Sequence, residues 1–383
     1  MSRLARARNI ADLRALARAR LPRMVFDYID GGADDELTLR RNEAAFAEIE
    51  LVWDALVDVS RIDTATTLMG QRMRLPFFIS PTAASRLFHP RGGEIAVARA
   101  AHAAGVAYAC STLASTTLED IAAAAPDGAK WFQVYVWKDR GLVEETLARA
   151  KAAGFSAIIL TVDVPVAGNR ERDHANRFTI PPKVNWRTAT QTLARPAYLW
   201  ELMTTPRVGA ANFAHISIDG GLMAFINDQF DRSVTWGDAR WLRERWDGKF
   251  AIKGLATPGD ARRALAIGAD AVWVSNHGGR QLGVAPASIE TLPAIADAVR
   301  GEAEIILDGG VRRGGDVVKA LALGANAVAL GRAYLWGLGA AGEAGVARAL
   351  ALMEEELRRT MALLGRADVA ALTRDLVCRR PTG

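Results

Sequence analysis

Cysteine is scarce: Cys110 and Cys378 are the two in 383 residues, and they form no spacing motif. That excludes a disulfide scaffold and fits a reducing compartment, so a cytoplasmic location is expected. Histidine is nearly as rare, at five, and no HExxH or comparable metal-ligand spacing occurs, so no metal is expected. No uncharged apolar run reaches the roughly 20 residues of a membrane-crossing helix. Nor does any segment carry the apolar stretch and small-residue cleavage site of a secretory signal. Charge of neither sign dominates: 48 Lys and Arg stand against 43 Asp and Glu, a net +5. The arginines are scattered over amphipathic segments, which argues against a nucleic-acid partner. No linker divides the chain, and residues 1–383 are read as one domain.

What is present is enough apolar material for a large core, since half of the residues are hydrophobic. The arginine-rich start, MSRLARARNIADLRALARAR, has the composition of a transit peptide. However, Ile10, Leu13, Leu16, Ala17 and Leu21 recur at helical spacing, which predicts an ordinary first helix. Further on come eight short, nearly continuous apolar runs: FFISPTA (77–83), VAYACST (106–112), KWFQVYV (130–136), AIILTVD (157–163), FAIKGL (250–255), AVWVSN (271–276), EIILDGG (304–310) and AVALGR (327–332). Parallel strands buried on both faces read this way. Alanine-rich helical patterns such as GEIAVARAAHAAG and GGDVVKALALGA separate them. Eight strands, each followed by a helix, predict an α/β protein with a (β/α)8 TIM-barrel fold over about 77–350, preceded by an N-terminal helical extension. The strand starts recur every 21 to 33 residues, apart from a 93-residue step between 157 and 250. That step leaves room for a long insertion after strand four, at about 180–235.

Barrel enzymes place their sites at the C-terminal ends of the strands. There this sequence puts Pro81, Thr82 and Ala83, then Ser111, Gln133 and Tyr135, then Thr161 and Asp163, Lys253, Ser275 to Arg280, Asp308 to Gly310, and Gly331-Arg332. A barrel interior needs Val, Ile and Leu to fold, so polar residues at all eight ends point to a site. Strands seven and eight run into DGGVRRGGD and LGRA. Glycine N–H groups and a helix N-terminus after those strands often hold phosphate, and Arg312 and Arg332 add charge. Glycine pairs in tight loops are common, so these two loops predict a phosphorylated ligand without naming it.

His277, in SNHGGRQL (275–282), could by itself be a buried histidine satisfied by a carbonyl. The segment closely resembles the signature of the FMN-dependent L-2-hydroxy acid dehydrogenases and oxidases, among them bacterial L-lactate and (S)-mandelate dehydrogenases. MVFDYIDGGADDELTLRRN (24–42), SPTA (80–83), WFQVYVWKDR (131–140), LTVDVPVAGNRERD (160–173), KGL (253–255), LDGGVRRGGD (307–316) and GEAGV (342–346) look like family segments in family order. The resemblance implies FMN as cofactor and oxidation of an L-2-hydroxy acid to the 2-oxo acid. It implies His277 as the base, with Asp163 stabilising its imidazolium. Arg170 and Arg280 would clamp the substrate carboxylate, and Tyr28 and Tyr135 would hydrogen-bond the substrate. Pro81, Thr82, Ala83, Ser111, Gln133, Thr161 and Ser275 would line the flavin, and Lys253 would lie near its N1. Asp308 would hold the ribityl chain, with Gly309, Gly310, Arg312, Gly331 and Arg332 around the phosphate. The family also implies a homo-oligomer, a tetramer.

Three positions depart from the pattern. Gly283 replaces a common aspartate, and Leu113 replaces a large aromatic of glycolate oxidases, leaving room for a bulkier substrate. Ala83 matches oxidases rather than the glycine of mandelate dehydrogenases, which leaves the acceptor open between O2, giving H2O2, and a quinone or another acceptor. A non-catalytic flavin- or phosphate-binding barrel is the more distant alternative. Residues 183–215 are basic (Lys183, Arg187, Arg195, Arg207) and interleaved with Trp186, Tyr198, Trp200 and Phe213. They suit either contact with an anionic membrane, as a peripheral protein on the inner face of the cell membrane, or a lid over the site.

Overall fold

A computed structural model describes residues 3–179, 186–213 and 228–379. The eight apolar runs form a closed parallel barrel of strands β1 (Phe77–Ile79), β2 (Tyr108–Ser111), β3 (Lys130–Val134), β4 (Ala157–Thr161), β5 (Lys249–Leu255), β6 (Ala271–Val274), β7 (Glu304–Leu307) and β8 (Ala327–Leu330). Each strand pairs with the next, and β8 closes on β1 through Val328↔Phe77, Ala329↔Phe78 and Leu330↔Ile79. Almost every strand residue is buried, because helices cover the outside and side chains fill the inside. Phe78 meets Trp131 and Trp273 edge-on inside the barrel, with ring centroids 4.8 and 5.3 Å apart.

Ser111, Gln133, Thr161 and Lys253 lie within their strands, whereas β1 and β7 stop short of their polar ends for local reasons. β1 ends at Ile79, ahead of Pro81, which has no N–H for a ladder. β7 ends at Leu307, because Gly309 and Gly310 turn away with φ of 99° and 84°. At those two ends Pro81 to Ala83 and Asp308 to Gly310 sit in loops just beyond the ladder.

The N-terminal extension is helical as expected, in Ile10–Arg20, Arg23–Asp30 and Leu37–Ala47. Asn9 caps the first helix by accepting from Asp12 N–H at 2.9 Å, and Ile10, Leu13 and Ala17 form its buried face. That face packs on the long C-terminal helix Arg332–Leu363. A hairpin of Thr66–Leu68 and Gln71–Met73 leads into β1, and Met69 N–H donates to Glu304 at the start of β7. The hairpin thereby packs at the N-terminal mouth and leaves the C-terminal mouth for chemistry. The expected insertion lies partly outside the described residues; within them it forms helices Trp186–Leu193 and Pro196–Met203.

Candidate active site

One cavity at the C-terminal mouth gathers almost all of the sequence-derived set. Tyr28, Pro81, Thr82, Ala83, Ser111, Gln133, Tyr135, Thr161, Arg170, Lys253, His277, Arg280, Asp308, Gly309, Gly310, Arg312, Gly331 and Arg332 line it. Asp163 and Ser275 stand behind its wall.

His277 is held in a left-handed conformation, φ 57°, which is uncommon and strained for a residue with a side chain. Its Nδ1 is 2.9 Å from Asp163 Oδ1. Burial pushes the imidazole pKa below the ordinary histidine value, with Asp163 pulling it back up. Burial would raise the Asp163 pKa, but His277 and Lys253 outweigh it and hold the carboxyl below its usual range. The pair is therefore a neutral imidazole donating Nδ1–H to a carboxylate, with Nε2 left as proton acceptor. Gly254 makes the approach possible: it has φ 105° at an irregularity in β5, and a Cβ there would lie 2.7 Å from that of Asp163. The KGL motif is thus needed for the Asp163 carboxyl to fit.

Lys253 Nζ donates to Ser275 Oγ at 2.8 Å and lies 3.4 Å from Asp308 Oδ2 and 3.8 Å from Asp163 Oδ2. Burial alone would lower its pKa, but the two carboxylates raise it, so a cation is fixed at the base of the cavity. Ser275 is bonded into this network. Its Oγ also accepts from His277 N–H at 3.1 Å and donates to Asp308 Oδ1 at 2.6 Å. It holds the His277 backbone and the Lys253–Asp308 pair from behind.

The two arginines form a positive rim. Arg280 donates to Tyr28 O at 2.6 Å and Gly31 O at 3.2 Å, and its guanidinium lies over the Tyr28 ring, 4.9 Å from the centroid. Burial, then the nearby Arg170 charge, push its pKa down to about 10, so it stays cationic at neutral pH. Two like charges facing a buried cavity favour an anion between them. Gln281 ties their loops together: it accepts from Gly168 N–H at 3.2 Å and donates to Asp163 O at 3.1 Å. A Cβ on Gly168 would strike the Arg280 carbonyl at 2.3 Å, which explains the glycine.

The donors of this cavity suit FMN. Gln133 Nε2, Thr161 Oγ1 and Arg312 Nε are buried without a hydrogen-bond partner among the described residues. Buried donors are seldom left unpaired, and all three residues line the cavity. Gly331 has open space where a Cβ would be, leaving its backbone approachable. Arg332 donates to Ile29 O, Gly31 O and Gly278 O at 2.7–2.8 Å, so it also ties the N-terminal helices to the His277 loop. Polar partners for a planar ring system and a cationic glycine cradle for a phosphate are what FMN requires, and the residues fit it.

Phe88, Val164, Ala167, Phe230 and Gln281 were not singled out from the sequence. The first four make the apolar wall beside the Tyr28–Tyr135–arginine cluster. No spacing marks them, because any apolar residue looks like core until the loops are placed.

The comparisons agree with the geometry. Residues 17–379 match the family described as FMN-dependent dehydrogenase. The chain is 44% identical over 377 residues to an L-lactate dehydrogenase of Caulobacter vibrioides, covering 97% of this chain and 98% of that one. It is 42% identical over 360 residues to an L-lactate oxidase of Nostoc, covering 93% and 94%. The crystal structure of a monotopic membrane protein, (S)-mandelate dehydrogenase, superposes with a TM-score of 0.93 at 38% identity, covering 98% of this chain and all of that one. The chain belongs to the FMN-dependent dehydrogenase family, and its cofactor is FMN.

Proposed function

We propose that the protein oxidises an L-2-hydroxy acid of lactate or mandelate type to the 2-oxo acid, with His277 as the base. The observation that carries the reading is the neutral His277, paired through Nδ1 with Asp163, beside two half-buried arginines that line the same cavity. FMN, when bound, supplies the two-electron acceptor. The chain's own residues do the rest. Arg170 and Arg280 take the substrate carboxylate in their guanidinium forks. Tyr28 and Tyr135 hydrogen-bond the carboxylate and hydroxyl. Burial holds the Tyr135 phenol above its usual pKa, so it remains a donor. His277 Nε2 takes a proton from the substrate, and the imidazolium that forms is stabilised by Asp163. Leu113, Phe88, Val164 and Ala167 give the substrate side chain an apolar place, which suits methyl or phenyl groups rather than polar ones.

A quinone or similar acceptor is the favoured destination of the electrons. Ala83 and the similarity to the Nostoc L-lactate oxidase support O2 as the second reading. One anaerobic experiment separates them: L-lactate or (S)-mandelate is mixed with holoprotein while the flavin absorbance is followed, and air is then admitted. The expected result is bleaching that persists in air until quinone is added. Rapid recolouring in air means an oxidase, and no bleaching with any 2-hydroxy acid refutes the reading.

No helix among the described residues is long and apolar enough to cross a membrane. A peripheral contact is supported by Leu193, Trp200 and Met203, which are 66%, 64% and 74% exposed on the two insertion helices. Two aromatics counted toward such a surface face inward instead: Phe213 is buried, and Tyr198 is buried with its hydroxyl donating to Leu87 O at 2.8 Å. The side chains of Trp186 and Arg187, and residues 183–185 and 214–215, lie outside those described. Replacing Leu193, Trp200 and Met203 with serine is expected to abolish co-sedimentation with anionic vesicles at low salt. Unchanged sedimentation would leave the segment as a lid only.

A further inference from the structure

A residue with a side chain keeps the left-handed backbone of His277 only where its surroundings over-determine it. Part of that fixing comes from outside the barrel. Helix Leu37–Ala47 of the N-terminal extension lies along the loop after β6. Thr38 N–H donates to Gly283 O at 3.0 Å, its Oγ1 donates to Leu282 O at 2.9 Å, and Ala285 N–H donates to that Oγ1 at 2.8 Å. One turn further along the helix, Asn42 reaches the residue that precedes the base.

Asn42 and Asn276 form a two-bond amide ring. Asn42 Nδ2 donates to Asn276 Oδ1 at 2.9 Å, and Asn276 Nδ2 donates back to Asn42 Oδ1 at 2.8 Å. Asn276 Oδ1 also accepts from Gly279 N–H at 3.2 Å, and its Nδ2 donates to Pro286 O at 2.9 Å. Asn42 Oδ1 accepts from Ser288 N–H at 3.3 Å. Neither amide can turn over without losing these bonds, so the ring has one orientation. Asn42 is buried, at 1% exposure. A Cβ on Gly309 would come within 3.4 Å of both amide oxygens, and one on Gly310 would strike the Asn42 carbonyl. Asn42 thus stands where the loop of the base meets the glycine loop after β7.

We propose that Asn42 is a positioning residue for the base: through the Asn276 amide it holds the turn from Asn276 to Gly279, and keeps the His277 imidazole against Asp163. The proposal rests on the 2-hydroxy-acid reading above and adds a residue, outside the cavity lining, that sets how well the base works.

The test follows anaerobic flavin bleaching at saturating L-lactate in FMN-loaded Asn42→Ala, Asn42→Thr, Asn276→Ala and the Asn42→Ala/Asn276→Ala double variant. Asn42→Ala is expected to bleach about ten- to a hundredfold more slowly, since a misplacement of about 1 Å at a reacting group costs up to about a hundredfold. The acidic limb of its kcat/KM profile moves to lower pH. Burial, with Lys253 and Arg170, holds the imidazole pKa down while Asp163 pulls it up, and a looser turn weakens the Asp163 contact. Asn42→Thr is neutral and close in volume but lacks the amide; it shifts both quantities the same way and serves if the alanine variant does not fold. The double variant is no slower than Asn276→Ala alone, because both residues act through one ring. An unmoved acidic limb in both Asn42 variants, whatever the loss of rate or of thermal stability, overturns the proposal alone, since the pair with Asp163 is then intact. Losses that multiply in the double variant overturn it as well, because Asn42 then acts by a route other than Asn276. Failure of every 2-hydroxy acid to bleach the unmodified enzyme removes the functional reading, and the proposal with it.

Discussion

Replacing His277 with alanine is expected to slow anaerobic flavin bleaching by L-lactate about a thousandfold, the middle of the range for loss of a positioned general base. FMN should remain bound, because none of the unpaired cavity donors belongs to His277. The pH profile gives an independent check. The base must be neutral, and burial holds the imidazole below its ordinary value. In the unmodified enzyme kcat/KM therefore stays high down to a pH below about 6.5, the free-histidine value, and falls only as the pH drops through the depressed pKa. Asp163→Asn removes the group that raises that pKa, so its acidic limb moves to still lower pH while the plateau drops. A His277→Ala variant that bleaches at the original rate, or an acidic limb unmoved by Asp163→Asn, contradicts the assignment.

Arg280→Met is expected to reduce kcat/KM for L-lactate by about two to three orders of magnitude, the range for breaking a buried charge pair. The more specific readout uses the methyl ester of lactate, which lacks the carboxylate charge. The unmodified enzyme should prefer acid to ester strongly, and the variant should lose most of that preference. Arg280→Lys keeps a charge but not the fork, and it gives up donors to Tyr28 O and Gly31 O. It should recover only part of the loss. A variant that still prefers the acid as strongly would place the carboxylate elsewhere in the cavity.

Parts of this molecule could be read from the order of residues alone. The eight barrel strands were legible because each is buried on both faces and so is continuously apolar, and because glycine and polar punctuation follows each run. The positions of His277, Lys253 and Asp163 were legible for a related reason: polar groups at strand ends serve no folding need. The family motifs assigned their roles, but did not show why the glycines among them are required. Gly254 and Gly168 are needed because Asp163 and the Arg280 carbonyl occupy the space a side chain would fill, which is a contact between distant loops.

Tertiary structure decided the remainder. The Ser275 hydroxyl bonds Lys253, Asp308 and the His277 backbone, a network among residues of three different strands and the loops that follow them. Tyr198 and Phe213 looked like interfacial aromatics until the insertion folded back and buried them. Phe230 carried no signal, since an apolar residue at the end of a long insertion resembles any other until its loop is folded beside Tyr135. The sequence alone determined the barrel and its polar strand ends, because periodicity and chemistry are local properties of the chain. Which apolar residues wall the substrate, and which hydroxyls remain free for a ligand, was decided only where loops remote in sequence meet, since burial and hydrogen-bond saturation depend on neighbours the sequence order does not record.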